Sequence, residues 1–192
     1  MGFAKTPCYT MKNSKKKKVV IYIDGSNFYF SIKSKFNVKV DIEKFCKKLV
    51  GNKELIKINY YIAPLNQKTH PKQYLGQQKF FDELKKIDNL NIIFGRLEKR
   101  KRDSEIYYVE KATDVNLALD LVLDAQAESY DEAYLISNDG DFSGAVNAAQ
   151  NFGKSVIYVA IGNRKSISHY LKKVASLTFY ITEKYIEDCV LI

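Results

Sequence analysis

The stretch Val19-Val20-Ile21-Tyr22-Ile23-Asp24-Gly25 is a continuous run of β-branched and apolar residues that stops at an acid and a glycine. Apolar side chains pointing both ways from an extended chain mean a strand covered on both faces, as in a parallel sheet with helices above and below it. Working outward, the pattern alternates. Helical character opens at Asn27, and Asp41 to Leu49 places Ile42, Phe45, Cys46 and Leu49 at helical spacing. Leu55 to Ala63 reads as a strand, Pro71 to Ile87 as an amphipathic helix and Asn91 to Phe94 as a short strand. Lys99-Arg100-Lys101-Arg102, followed by the extended piece Glu105 to Val109, reads as a hairpin with its cations at the tip. Helix Asp114–Ala127, strand Ala133–Ser137, helix Phe142–Asn151 and strand Ser155–Ile161 follow, with a last helix at Ile167–Val174 and a short strand at Leu177–Ile181. This order predicts an α/β fold of three layers, a mainly parallel central sheet flanked by helices.

The chain has 192 residues, 46% of them hydrophobic and 28% charged, which suits one globular domain with a sizeable core. The expected organisation is a basic flexible tail over 1–18, a domain over 19–182 and a short C-terminal extension over 183–192. No apolar run approaches the roughly 20 residues that a membrane helix needs, and Met1 to Lys18 lacks the apolar stretch of a secretory signal. A cytoplasmic protein with no membrane partner is expected. Cys8, Cys46 and Cys189 are odd in number, widely spaced and without a Cys-x-x-Cys pair, which argues against a disulfide framework and against zinc. The net charge is +9, but the six lysines of Met1–Lys18 leave only +3 for the rest. Lys15-Lys16-Lys17-Lys18 is read equally well as a solvated leader or as a nucleic-acid contact.

Four aspartates carry the chemistry. In open α/β sheets ligands bind beyond the carboxyl ends of the strands. Asp24 directly follows the first strand, Asp139 and Asp141 follow the strand ending at Ser137, and Asp114 stands at the mouth of a helix. Each has an ordinary structural explanation, since Asp24, Asn27 and Asp114 could cap helices and Asn138-Asp139-Gly140-Asp141 could be a turn. Their convergence weighs the other way, because like charges gathered at one sheet edge repel unless a cation compensates them. Carboxylate and amide oxygens suit Mg²⁺ or Mn²⁺, whereas zinc favours His and Cys. A hard cation on a protein of positive net charge points to phosphodiester chemistry, with Lys111 placed to reach a phosphate.

The segments Tyr22-Ile23-Asp24-Gly25-Ser26-Asn27-Phe28-Tyr29, Lys111-Ala112-Thr113-Asp114-Val115 and Leu135-Ile136-Ser137-Asn138-Asp139-Gly140-Asp141-Phe142 together resemble an NYN domain of the bacterial subgroup within the PIN-like nucleases. The resemblance covers roughly Val19 to Ile181. It implies a Rossmann-like fold and metal-dependent RNA cleavage, with Asp24, Asn27, Asp114, Asp139 and Asp141 in the acidic pocket and Ser137 supporting the ligands. Two positions depart from the family pattern: Ala112 replaces a frequent Gly, and Ser176 stands where many relatives carry an acid.

RNA is the expected partner, with Lys99, Arg100, Lys101 and Arg102 as phosphate contacts. Among the 14 tyrosines and 11 phenylalanines most belong to the core, and at most one or two of Phe28, Tyr29 and Phe30 face a substrate. Asp120 and Asp124, one turn apart on the helix after Asp114, read as a solvated face or as support for the site. His70 and His169 read as surface or capping residues. Related small domains often pair, so a homodimer is compatible with this reading. An RNA-binding module without turnover is the alternative. A phosphatase with Asp24 as nucleophile is disfavoured, because Ser26 occupies the place of the second acid such enzymes carry.

Overall fold

The computed structural model describes residues 15–102 and 105–191. Up to position 14, the basic tail lies outside them. Among the described residues the elements are β1 (Lys18–Asp24), α1 (Gly25–Lys35), α2 (Ile42–Val50), β2 (Glu54–Ile62), α3 (Pro71–Leu84), β3 (Leu90–Phe94), β4 (Arg96–Arg102), β5 (Glu105–Lys111), α4 (Thr113–Gln126), β6 (Glu132–Ile136), α5 (Ser143–Asn151), β7 (Ser155–Ala160), α6 (His169–Val174), β8 (Leu177–Tyr180) and α7 (Glu183–Glu187). A single 3-10 turn, Gly140–Phe142, precedes α5.

Six strands form one sheet in the order β3-β2-β1-β6-β7-β8, and every neighbouring pair is parallel. The expected three-layer α/β architecture is therefore the fold. Side chains alternate across β1: Val19, Ile21 and Ile23 join a core built with α1, α2, α3 and α7, while Val20 and Tyr22 join one built with α4, α5 and α6. Both faces of β1 are covered, which is why its sequence is apolar without interruption.

The strand order decides where a site can form. From β1 the chain steps outward through β2 to β3, then returns to place β6 on the other side of β1. The crevice between β1 and β6 is a topological switch point, where connections leave in opposite directions and open a cleft at the carboxyl ends of the strands. Ile23 pairs with Ile136 there, so Asp24 and Ser137 leave the sheet side by side.

Gly25 holds the beginning of α1 close to the sheet. A Cβ at this position would lie 2.5 Å from the Tyr60 ring and 2.7 Å from the Tyr61 carbonyl oxygen. Any larger residue would push the helix start away from β2.

Two expectations are revised. Lys99 to Arg102 are not confined to a hairpin tip: they form the outer half of β4, paired antiparallel with β5 in the register Lys99 to Tyr108 through Arg102 to Glu105, and residues 103 and 104 lie outside the described residues. The strand continues because its exposed edge tolerates consecutive charges. Asp120 and Asp124 are not a solvated face but accept hydrogen bonds from the buried Tyr61 hydroxyl at 2.8 Å and the buried Tyr22 hydroxyl at 2.6 Å, and Lys57 adds an ion pair to Asp124. Burial and the neighbouring carboxylates together push both tyrosines far above the usual phenol range. The short C-terminal extension packs onto the domain: α7 buries Tyr185 and Ile186, Tyr185 donates to the Phe45 carbonyl at 2.9 Å, and Val190 bridges Val40. Among the described residues no helix is long and apolar enough to cross a membrane. Cys46 and Cys189 are buried free thiols.

Candidate active site

Asp24 is the last residue of β1 and the N-cap of α1. Its Oδ1 accepts a hydrogen bond from the Asn27 backbone N–H at 3.0 Å, as an N-cap carboxylate does, while Oδ2 accepts one from the Ser137 hydroxyl at 2.9 Å. Ser137, only 2% exposed, accepts in turn from the Asp139 backbone N–H at 3.1 Å. Asp24 therefore does cap its helix, and the same side chain is tied across the switch point. One side chain thus makes both the cap and the tie to the end of β6.

Asn27 and Asn138 extend the network. Asn27 Oδ1 accepts from the Asn138 backbone N–H at 3.0 Å and from the Ser31 hydroxyl at 3.2 Å. The Asn138 side chain donates to the Ile161 carbonyl at 2.7 Å and accepts from the Tyr158 hydroxyl at 2.6 Å. Burial raises Tyr158 to about 12, so it remains a neutral donor. These bonds fix the loop after β6 against α1 and β7. The sequence motif contained Asn138, but its role as the joint between three elements depends on partners at least 20 residues away in either direction.

A cavity of about 770 Å³ opens beside this network. Asp24 and Asp114 both line it, with Asn27, Asn138 and hydroxyls from α1, and the loop Ile161–Ser166 closes the far side. Asp114 arrives from α4, in its exposed first turn. The residue before that helix, Ala112, holds φ +72°, a left-handed conformation that favours glycine. This accounts for the family's frequent Gly there. Ser176, the other departure, serves the fold, because its hydroxyl accepts from the Val156 backbone N–H and from Gln150 at the start of β8.

Two of the four expected carboxylates thus share the cavity. Asp139 and Asp141 are not among its lining residues; Asp139 Oδ1 caps the 3-10 turn by accepting from the Asp141 N–H at 3.0 Å, and Asp141 is exposed. Among the described residues no three His, Cys, Asp or Glu side chains form a group that could hold a metal ion. Lys111 ends β5 immediately ahead of Ala112, and Gly95, at the other foot of the hairpin, would bring a Cβ to 2.7 Å from the Lys111 carbonyl oxygen. The hairpin is thereby rooted beside Thr113 and Asp114. Lys99, Arg100 and Lys101 are exposed along it. His70 and His169 are exposed and lie apart from the cavity lining.

The NYN domain family model matches residues 18–183. The chain belongs to the NYN domain family. This NYN domain shares its fold with a protein of unknown function from Vibrio parahaemolyticus, at 23% identity over 94% of this chain and 100% of the other, with a TM-score of 0.69. A candidate oxidoreductase from Parabacteroides merdae, at 12% identity over 86% of this chain and 31% of the other, reaches a TM-score of only 0.34. No curated protein matches this chain. The family is one of PIN-like nucleases, and such nucleases generally use divalent metals.

Proposed function

We propose that this NYN domain is a metal-dependent endoribonuclease of the cytoplasm, hydrolysing RNA phosphodiester bonds in the cavity shared by Asp24 and Asp114. The observation that carries the reading is that these two acids, from distant parts of the chain, line one polar cleft at the switch point of the sheet. The donor set there fits Mg²⁺ or Mn²⁺, which take one or two carboxylates directly and keep several waters, and it offers no sulfur or imidazole for zinc. Asp24 and Asp114 would hold the ion, and Asp139 and Asp141, on the loop after β6, would add negative charge to the acidic set. When bound, a divalent cation orients and activates a water for attack and neutralises charge developing on the phosphodiester.

The rest is the work of the chain. Ser137 and the Asn27 N–H orient the Asp24 carboxylate so that no reorganisation is needed when substrate arrives. With its oxygen committed to Asn138 and Ser31, Asn27 has amide N–H groups to offer a phosphate oxygen. Lys111, Lys99, Arg100, Lys101 and Arg102 draw in and align the RNA backbone along the hairpin that leads to Asp114.

The second reading, RNA binding without turnover, is favoured by one observation: Asp139 and Asp141 do not line the cavity that Asp24 and Asp114 share. One experiment separates the two. Purified protein should cleave RNA with Mg²⁺ or Mn²⁺, stop in EDTA, and lose at least about 100-fold in rate, on the order of an electrostatic contact to the reacting centre, in Asp24→Asn and Asp114→Asn variants. Salt-sensitive binding with no cleavage under any of several metals would establish the binding module instead.

A further inference from the structure

We propose that Phe30 is the stacking platform for the base adjoining the phosphate held at Asp24, a specificity-determining contact that the carboxylates cannot provide. This rests on the nuclease reading above and names how that site would grip its substrate.

Of the three aromatics that follow the acidic motif, Phe28 is 4% exposed and packs edge-on against Phe45 at 5.4 Å, so it belongs to the core. Tyr29 and Phe30 are 54% and 65% exposed. Only Phe30 lines the cavity, and among the described lining residues it is the one aromatic. It stands on the same face of α1 as Asn27, Ser31 and Ser34, following the spacing of a helix surface. Six residues separate it from Asp24, about 9 Å along the helix axis at 1.5 Å per residue. A phosphate at Asp24 and a neighbouring base on Phe30 can therefore be held at once.

The ring is braced. Tyr29 meets it edge-on, with centroids 5.2 Å apart and planes at 73°, and Lys33 Nζ lies 5.6 Å from the Tyr29 ring centroid. A ring presented to water among hydroxyls, amides and carboxylates gains little in the free protein. A base offers it a π-face of the right size, and stacking of this kind tolerates any of the four bases. Isolated exposed apolar residues are ordinary on protein surfaces. What sets Phe30 apart is its place in the same cavity as both acids.

The test uses a short single-stranded RNA containing 2-aminopurine, whose fluorescence is quenched by stacking, on the protein with its carboxylates intact, in EDTA and with Ca²⁺ in place of Mg²⁺ to hold back cleavage. Phe30→Leu keeps the apolar bulk but removes the π-face. It should bind about 5- to 100-fold more weakly and lose the quench, while Phe30→Tyr retains both. Because Phe30 is exposed, the thermal midpoint of each variant should match that of the parent. Duplex RNA of the same sequence, its bases already stacked, should not distinguish Phe30→Leu from the parent. Equal affinity and quench in Phe30→Leu, or an equal loss on duplex RNA, would overturn the platform and leave the nuclease reading standing. Failure of the parent protein to bind RNA at all would overturn both.

Discussion

The Ser137 hydroxyl donates a 2.9 Å hydrogen bond to Asp24 Oδ2, joining the ends of two strands that lie side by side where the order of the sheet reverses. Ser137 is buried and has no other carboxylate partner among its bonds, so its removal should misalign Asp24 more than it unfolds the domain. Ser137→Ala is expected to weaken Mn²⁺ binding and slow cleavage by about 10- to 100-fold, the usual cost of losing support behind a metal ligand. It should cost about 1–3 kcal/mol of stability. Titration calorimetry and denaturant unfolding check the two numbers separately.

Ala112 stands in the left-handed region at φ +72°, immediately before Thr113 and Asp114. That conformation costs a side chain roughly 1–2 kcal/mol, offset partly by the smaller entropy of an unfolded Ala relative to Gly. Ala112→Gly should therefore raise stability by up to about 1 kcal/mol. Urea unfolding that showed a loss of stability instead would mean that the strain is compensated elsewhere.

The hairpin cations are tested by salt. If Lys99, Arg100 and Lys101 each touch a phosphate, replacing all three by Ala should lower RNA affinity across unrelated sequences and flatten the dependence of log affinity on log salt by about 0.7 per lost contact. An unchanged slope would make the hairpin a solvated arm. These side chains are exposed, so the fold should be unaffected.

Acid stability has a named contributor. Glu132 is buried at the start of β6, and burial alone would raise its pKa, but hydrogen bonds from Lys17 and Lys53 more than offset this and hold it below the usual carboxylate value of 4.5. A depressed native pKa gives stability that is complete above pH 4.5 and is lost as pH falls through the native value. Glu132→Gln should unfold more easily at neutral pH by about 1–3 kcal/mol, and its stability should fall less steeply on acidification. Parallel pH profiles for the two proteins would contradict this.

Much of the fold was legible because its signals are local. Val19–Ile23 announces a strand buried on both faces without reference to any other segment, and the alternation of such runs with amphipathic helices gives the parallel layers. Helix α7 was not read, since five residues carry too little periodicity, and its Tyr185 becomes informative only when it meets Phe45. The aspartates were found by type and by position at strand ends, but not their division of labour. Asp24 and Asp114 share a cavity because of the strand order, whereas Asp139 spends its side chain on the turn that follows it. The partners of Asp120 and Asp124 were hidden for a similar reason: helical spacing shows which residues share a face, not that two buried tyrosines wait opposite them.

The most direct test is a crystal soaked in Mn²⁺ and measured at a wavelength where manganese scatters anomalously. A peak in the cavity touching carboxylate oxygens of both Asp24 and Asp114 is expected, and it should be abolished in Asp24→Asn. Manganese density elsewhere, or none at a concentration that supports cleavage, would contradict it.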